Sequence, residues 1–155
     1  MTEILINQEV PDFSCLATGD KTIKLSDYRG SNVILYFYPK DSTPGCTQEG
    51  KDFSAHFMSF QELDTIIFGI SRDGIKAHEN FKKKQVFAFD SLSDKDETIC
   101  NLFDVMKMKK IYGRESRGIE RSTFLIDKKG ILRHEWRKVK VKEHVDEVLH
   151  ATQNI

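Results

Sequence analysis

Cysteine and long apolar runs are both scarce in this chain of 155 residues. The three cysteines, Cys15, Cys46 and Cys100, form an odd set with no repeated short spacing, which argues against a secreted disulfide framework and a structural zinc site. No apolar run approaches the ~20 residues needed to span a bilayer, so we expect no membrane contact. The stretch MTEILINQEVPDF lacks the basic start and apolar core of a signal peptide, which predicts a cytoplasmic protein.

An excess of charge of either sign is absent too. Lys and Arg together number 24, as do Asp and Glu, so no overall field attracts nucleic acid or an anionic membrane surface. The basic runs at 107–110 and 137–142 are interpreted as solvated faces. None of the five histidines pairs with a carboxylate or cysteine at metal-ligand spacing, so we expect no metal or other cofactor.

Apolar and aromatic residues divide the chain into predicted strands and helices. Continuous apolar runs predict two fully buried strands, at 33–38 and 64–71. Shorter runs predict a hairpin at 13–25 and two further strands at 122–126 and 131–136. Helical spacing predicts helices at 44–63, 74–84 and 144–152. A short helix within 92–104 has Asp94 or Asp96 available as a cap, and a polar, glycine-containing loop follows it.

No linker or internal repeat divides the sequence, so we expect one domain over residues 1–155. Strands alternate with crossover helices and a hairpin of strands comes near the end. This order predicts an α/β domain whose mixed central sheet is flanked by helices, with a β-hairpin at the N-terminus. A thioredoxin-like fold has this arrangement, but the fold by itself does not predict a function.

Cys46 lies in the first turn of the predicted helix that follows the buried strand. Thr43 precedes a proline and is therefore biased away from helical geometry, while Pro44 suits the first helical position, so Thr43 is expected as the N-cap. The unpaired N–H groups and the dipole at a helix start favour a thiolate over a thiol. We therefore expect Cys46 to be reactive.

The helix spacing also places apolar groups beside the sulfur. Phe53 and Phe57 lie seven and eleven residues after Cys46, at nearly the same angle around a helix with ~3.6 residues per turn. Such a wall opposes ionisation by desolvation, so a reactive thiolate needs a further fixed positive charge. Arg121, immediately before the predicted strand at 122–126, is the candidate.

The segment Pro39…Thr43…Cys46 is similar to the P-x-x-x-T/S-x-x-C motif of peroxiredoxins. It lies within YFYPKDSTPGCTQE, which resembles the bacterioferritin comigratory protein (peroxiredoxin Q) subfamily. The resemblance continues in GISRDGIKAHENF from Gly69, FAFDSLSDKDETICNLFDV from Phe87 and GIERSTFLIDKKG from Gly118. These ordered blocks cover nearly the whole chain.

The resemblance implies a thiol-dependent peroxidase that reduces hydrogen peroxide and organic hydroperoxides through a sulfenic acid at Cys46. It implies that the Thr43 hydroxyl contacts the peroxide, that Pro39 shields the site, and that Arg121 supplies a guanidinium. We expect Glu49, one helical turn beyond Cys46, to hold that guanidinium. The implied reductant is thioredoxin, glutaredoxin or a low-molecular-weight thiol, and the implied state is a monomer.

The sequence departs from the subfamily where a second, resolving cysteine is usual. One usual position holds Lys51, and the other lies in the helix that contains 81–84, where no cysteine occurs. Three hypotheses remain open: an external thiol, Cys100 or Cys15 resolves the sulfenic acid. The first is favoured because it needs no second cysteine with a Cα atom within ~7 Å.

Other readings of the cysteines remain. Cys15 and Cys100 lie among apolar residues and are interpreted as small core side chains. A redox sensor, in which oxidation of Cys46 is only a signal, is the alternative function. A thiol-disulfide oxidoreductase is disfavoured because that chemistry uses C-x-x-C, and the residue three before Cys46 is Thr43.

Overall fold

The computed structural model describes residues 4–155 as strands packed between helices. The strands are β1 (Ser14–Ala17), β2 (Lys21–Lys24), β3 (Asn32–Phe37), β4 (Thr65–Ser71), β5 (Asp90–Ser93), β6 (Met106–Ile111), β7 (Arg114–Ile119), β8 (Ser122–Ile126) and β9 (Leu132–Trp136). The α-helices are α1 (Pro44–Ala55), α2 (Phe57–Glu62), α3 (Ile75–Gln85), α4 (Thr98–Leu102) and α5 (His144–Gln153), and a 3-10 helix spans Leu25–Tyr28.

Seven strands form one mixed sheet in the order β2-β1-β5-β4-β3-β8-β9. Strand β3 lies near its centre, parallel to β4 and antiparallel to β8. The predicted mixed sheet with an N-terminal hairpin, β1–β2, is confirmed. Within residues 4–155, no helix is both long and apolar enough to cross a membrane. The assignment of the whole chain to one domain stays a prediction.

The sheet separates two apolar clusters, one on each face. Along β3, Leu35 and Phe37 belong to one cluster, whereas Ile34 and Tyr36 belong to the other. Every residue of β3 is buried, as the continuous apolar run predicts. We call the cluster that contains Cys46 the Cys46 cluster and the other one the opposite cluster.

The prediction of one continuous helix over 44–63 is wrong, because the helix breaks at His56. The backbone of His56 has φ −101° and ψ 9°, outside helical values, and separates α1 from α2. Its ring nitrogen Nδ1 lies 3.0 Å from the carbonyl oxygen of Asp52, which also accepts the His56 backbone N–H at 3.3 Å. The ring therefore competes for the carbonyl that a regular helix uses.

The prediction of a loop after residue 104 is also wrong. Strands β6 and β7 form a separate antiparallel hairpin, joined by Tyr112 and Gly113 with φ of 52° and 77°. A two-residue turn with positive φ at both positions matches the twist of the strands it joins. Polar side chains dominate this hairpin, so the apolar pattern of a strand is weak. Strand β5 was likewise missed, since it has four residues and a single large apolar side chain, Leu92.

Candidate active site

Cys46 lies in the first turn of α1, directly after the segment that leaves β3. Thr43 has the extended backbone of an N-cap residue, with φ −88° and ψ 155°, and Pro44 takes the first helical position, both as predicted. The side chain of Thr43 does not cap the helix, however, and that part of the prediction is wrong. Its hydroxyl donates instead to the carbonyl oxygen of Lys40, at 2.8 Å.

The guanidinium of Arg121 lies between Cys46 and Glu49. Its Nη2 is 3.4 Å from the sulfur of Cys46, and its Nη1 donates to Oε1 of Glu49 at 2.7 Å. The sheet register explains this meeting. Phe37, at the end of β3, pairs with Ser122, so Arg121 lies at the edge of the sheet from which the Cys46 segment emerges. The structure thus brings together the three residues that the sequence predicts.

Burial shapes the electrostatics of this group. Glu49 has no solvent-exposed surface, and burial raises its pKa to about 7 although Arg121 acts in the opposite direction. Burial also opposes the charge of Arg121, but Glu49 and Cys46 together raise its pKa. Among the described residues, Oε2 of Glu49 has no hydrogen-bond partner. The charge of the guanidinium is therefore secure, whereas that of the carboxylate depends on pH near neutrality.

Aromatic rings form the wall behind the sulfur, as the helix spacing predicts. Cys46 is 2% exposed and belongs to the same cluster as Phe53, whose ring stacks on Tyr36 with centroids 4.6 Å apart. Phe57 is partly buried and packs against this cluster. Pro39 is half-buried and lies at the bend that follows β3.

Comparison with known proteins identifies the family. The model of the AhpC/TSA family matches residues 6–135. The chain belongs to the AhpC/TSA family. Its relatives include Peroxiredoxin Bcp of Bacillus subtilis, which is 50% identical over 152 residues, 98% of this chain and 97% of that protein. The resemblance to the bacterioferritin comigratory protein branch is thereby confirmed.

Solved structures of this branch share the fold. Peroxiredoxin Q of Xanthomonas campestris matches with a TM-score of 0.88 and 47% identity, over 92% of this chain and 90% of that one. A cysteine-to-serine variant of PrxQ from Xylella fastidiosa matches with a TM-score of 0.93 and 37% identity. The match covers 99% of this chain and 98% of that one. The predictions of a thioredoxin-like fold and of a thiol-dependent peroxidase are confirmed at this level.

This peroxiredoxin has further charged and titratable side chains near the site that sequence reasoning missed. Lys109, on β6, is partly buried, and its ammonium donates to the carbonyl oxygen of Ile119, two residues before Arg121. Burial, with Arg121, lowers its pKa. The interpretation of 107–110 as a solvated face is therefore wrong for Lys109. The missed hairpin is the reason, because β6–β7 folds that side chain inward.

His144 is a second neighbour that the sequence did not indicate. It is buried at the start of α5 against Phe53 and Trp136, and its Nε2 lies 2.8 Å from the hydroxyl oxygen of Thr123. Burial, together with the charge of Arg121, lowers its pKa to about 4. A neutral imidazole therefore packs behind the site.

One histidine of the peroxiredoxin lies beside carboxylates that are far from it in the sequence. Nδ1 of His78 lies 2.7 Å from Oδ2 of Asp41, and the ligand-type atoms of Asp41, Asp73 and His78 all lie within 4.8 Å of one another. Sequence spacing could not indicate this group because His78 follows Asp41 by 37 positions. Hydrogen bonds already engage these carboxylates, and the absence of a metal cofactor stays a prediction.

Cys15 and Cys100 are buried in the opposite cluster, as their apolar neighbours predict. The thiol of Cys15 donates to the carbonyl oxygen of Ser93 at 3.2 Å, and burial raises its pKa to about 12. Burial and the nearby carboxylate of Asp94 raise the pKa of Cys100 as well. All three cysteines are free thiols. Cys15 and Cys100 are therefore poor nucleophiles in the folded protein.

Proposed function

We propose that this peroxiredoxin reduces hydrogen peroxide and organic hydroperoxides with Cys46 as the peroxidatic nucleophile. The observation that carries the proposal is the Arg121 guanidinium, which contacts both the sulfur of Cys46 and the buried carboxylate of Glu49. A guanidinium presents several N–H donors in a rigid fork, so one group can favour the thiolate and also bind a peroxide oxygen.

In the first step, the thiolate of Cys46 attacks the nearer oxygen of the peroxide. A sulfur–oxygen bond forms, the oxygen–oxygen bond breaks, and its electron pair leaves on the farther oxygen, which takes a proton and departs as water or an alcohol. Cys46 becomes a sulfenic acid. The guanidinium of Arg121 stabilises the charge that develops on the leaving oxygen.

Thr43 and Pro39 complete the proposed site. Because the hydroxyl hydrogen of Thr43 is donated to Lys40, its oxygen is left to accept a hydrogen bond from the peroxide. Pro39 offers no backbone N–H, and its proposed role is to shield the site. In this arrangement the peroxide is held in line with the sulfur, which accelerates the attack.

We propose that an external thiol resolves the sulfenic acid. Its sulfur attacks the sulfur of Cys46, a mixed disulfide forms and water leaves, and a second thiol then releases Cys46 by exchange. The supporting observation is that Cys15 and Cys100 belong to the cluster on the other face of the sheet from Cys46. The donor belongs to the class of thioredoxin, glutaredoxin or low-molecular-weight thiols. The monomeric state and the cytoplasmic location stay predictions.

Organic hydroperoxides are included because of a related protein. The bacterioferritin comigratory protein of Xanthomonas campestris, 46% identical to this chain, has been described in terms of alkyl peroxide reduction. Aromatic side chains of the Cys46 cluster, among them Phe53 and Tyr36, pack on the same face of the sheet as the sulfur, and such an apolar environment suits an alkyl substituent.

Steady-state peroxide consumption with dithiothreitol tests the proposal, with Cys46→Ser, Cys100→Ser and Cys15→Ser compared against wild type. We expect Cys46→Ser to lose turnover and the other two variants to keep it. One oxidation event per chain without turnover would instead favour the redox sensor. Mass spectrometry of peroxide-treated wild type should find no intramolecular disulfide, and a crosslink between Cys46 and Cys100 would overturn resolution by an external thiol.

A further inference from the structure

The segment between β3 and α1 contains one buried carboxylate, that of Asp41. Lys40 and Ser42 are exposed, whereas the side chain of Asp41 between them is 4% exposed. Its Oδ1 accepts a hydrogen bond from the Tyr38 hydroxyl at 2.6 Å, and its Oδ2 lies 2.7 Å from Nδ1 of His78. The backbone N–H of Asp41 donates to Oδ2 of Asp73 at 2.8 Å. The segment is thus fixed at its middle residue.

His78 connects this carboxylate to the sheet. The imidazole is fully buried on α3, and its Nε2 lies 2.9 Å from the carbonyl oxygen of Leu92 in β5. Because a carbonyl oxygen only accepts, Nε2 carries a proton, and a second proton lies between Nδ1 and Oδ2 of Asp41. Both ring nitrogens are therefore engaged, and the ring has one orientation.

We infer that His78 is a positioning residue, which acts through Asp41 to hold the segment that carries Thr43 and leads into Cys46. Thr43 follows Asp41 by two positions in the chain. The backbone carbonyl of Thr43 accepts the N–H of Thr47 in the first turn of α1. A shift of Asp41 therefore moves the hydroxyl of Thr43 relative to the sulfur. This inference rests on the proposed role of Cys46.

The buried pair of Asp41 and His78 matters because the position of the segment affects the geometry of the site. A displacement of ~1 Å in a group that orients a substrate can slow a reaction by about 100-fold. Solvent-exposed neighbours give the segment little packing of its own, so its position depends on the hydrogen bonds of Asp41. Removing His78 leaves that carboxylate buried with one side-chain donor, Tyr38, and the segment relaxes towards water.

The test compares two rates for each variant: oxidation of Cys46 by hydrogen peroxide and alkylation of Cys46 by iodoacetamide. Alkylation needs the thiolate but not an aligned peroxide, so the ratio of the rates reports positioning. We expect the ratio to fall by about 100-fold in Asp41→Ala and in His78→Phe. Val10→Ala, which opens a small cavity in the opposite cluster, serves as the control for lost stability and should keep the wild-type ratio.

Asp41→Asn separates hydrogen bonding from charge. Its amide donates to Nδ1 of a neutral His78 and its oxygen accepts from Tyr38, so both contacts survive without the ion pair. We expect a ratio within about threefold of wild type. If Asp41→Asn is as slow as Asp41→Ala, positioning by hydrogen bonds is wrong and the charge itself acts.

Failure of the inference is distinguishable from failure of the proposed function. If wild-type Cys46 does not react with peroxide, the proposed function falls and the inference with it. Circular dichroism checks that the Asp41→Ala and His78→Phe variants are folded. If wild type reacts with peroxide and both folded variants keep the wild-type ratio of rates, only the inference falls. Should His78→Phe fail to fold, Tyr38→Phe removes one donor to Asp41 with little change in volume, and an unchanged ratio in it and Asp41→Ala overturns the inference.

Discussion

Replacement of Arg121 by alanine is the most direct perturbation of the proposed mechanism. It removes a guanidinium whose Nη2 lies 3.4 Å from the sulfur of Cys46 and whose Nη1 lies 2.7 Å from Glu49. The variant therefore affects two quantities, the rate of peroxide reduction and the stability of the fold. The two effects have different causes and can be measured separately.

The effect on the rate follows from the position of the charge. At 3.4 Å and an effective dielectric constant of ~20, a unit charge stabilises the thiolate by at most about 5 kcal/mol. Losing one preorganised donor at a developing anion typically costs about 2.7–4 kcal/mol. We therefore expect Arg121→Ala to slow oxidation of Cys46 by about 100- to 1000-fold. Arg121→Lys, which keeps the charge without the fork, should lie between wild type and alanine.

The effect on stability arises at Glu49. Without Arg121, this carboxylate is buried with no partner charge, a change that typically costs about 3–5 kcal/mol. Its pKa, already raised to about 7 by burial, should rise further, so that the group is protonated at neutral pH. Protonation limits the loss of stability. The double variant Arg121→Ala with Glu49→Gln should therefore regain stability but not the rate.

Stopped-flow measurement of Cys46 oxidation gives the rate, and urea unfolding gives the free energy of unfolding. Wild type, the two Arg121 variants and the double variant should be compared at the same pH, since Glu49 titrates near neutrality. A rate in Arg121→Ala within threefold of wild type would remove the guanidinium from the mechanism. Recovery of the rate in the double variant would show that Arg121 acts only by neutralising Glu49.

Three further predictions concern the surroundings of the site. In the wild type, Glu49 has a higher pKa in the folded than in the unfolded state, so its titration lowers the free energy of unfolding as pH rises from about 4.5 to about 7. The expected decrease is up to roughly 3 kcal/mol. Urea unfolding of Glu49→Gln at pH 5 and pH 8 should show that this decrease is gone. His144 behaves as a buried base: its pKa of about 4 against 6.5 removes stability as pH falls from 6.5 towards 4, and His144→Phe should flatten that decline in thermal melts. Gly50→Ala places a methyl group onto the ring of Phe87, so we expect a loss of about 1–3 kcal/mol in urea unfolding and slower oxidation of Cys46 as α1 shifts, whereas unchanged values would mean that the ring moves aside.

Much of the fold follows from local pattern. The apolar run around β3 and the proline before Cys46 predict a buried strand, a short connection and a helix start, because these depend on neighbours in the sequence. The break at His56 and the β6–β7 hairpin did not follow. The first arises from a side chain competing for a backbone carbonyl, and the second has polar strands joined by a turn without Asn-Gly or Asp-Gly.

The sequence by itself determined where the candidate nucleophile lies, because a cysteine in the first turn of a helix acquires much of its environment from the residues beside it. It also indicated Arg121 and Glu49 as partners. Only the tertiary structure decided that these groups touch, since the antiparallel pairing of β3 with β8 brings together residues 75 positions apart. The buried contact between Asp41 and His78 likewise results from the packing of α3 against the sheet, and no spacing along the chain predicts it.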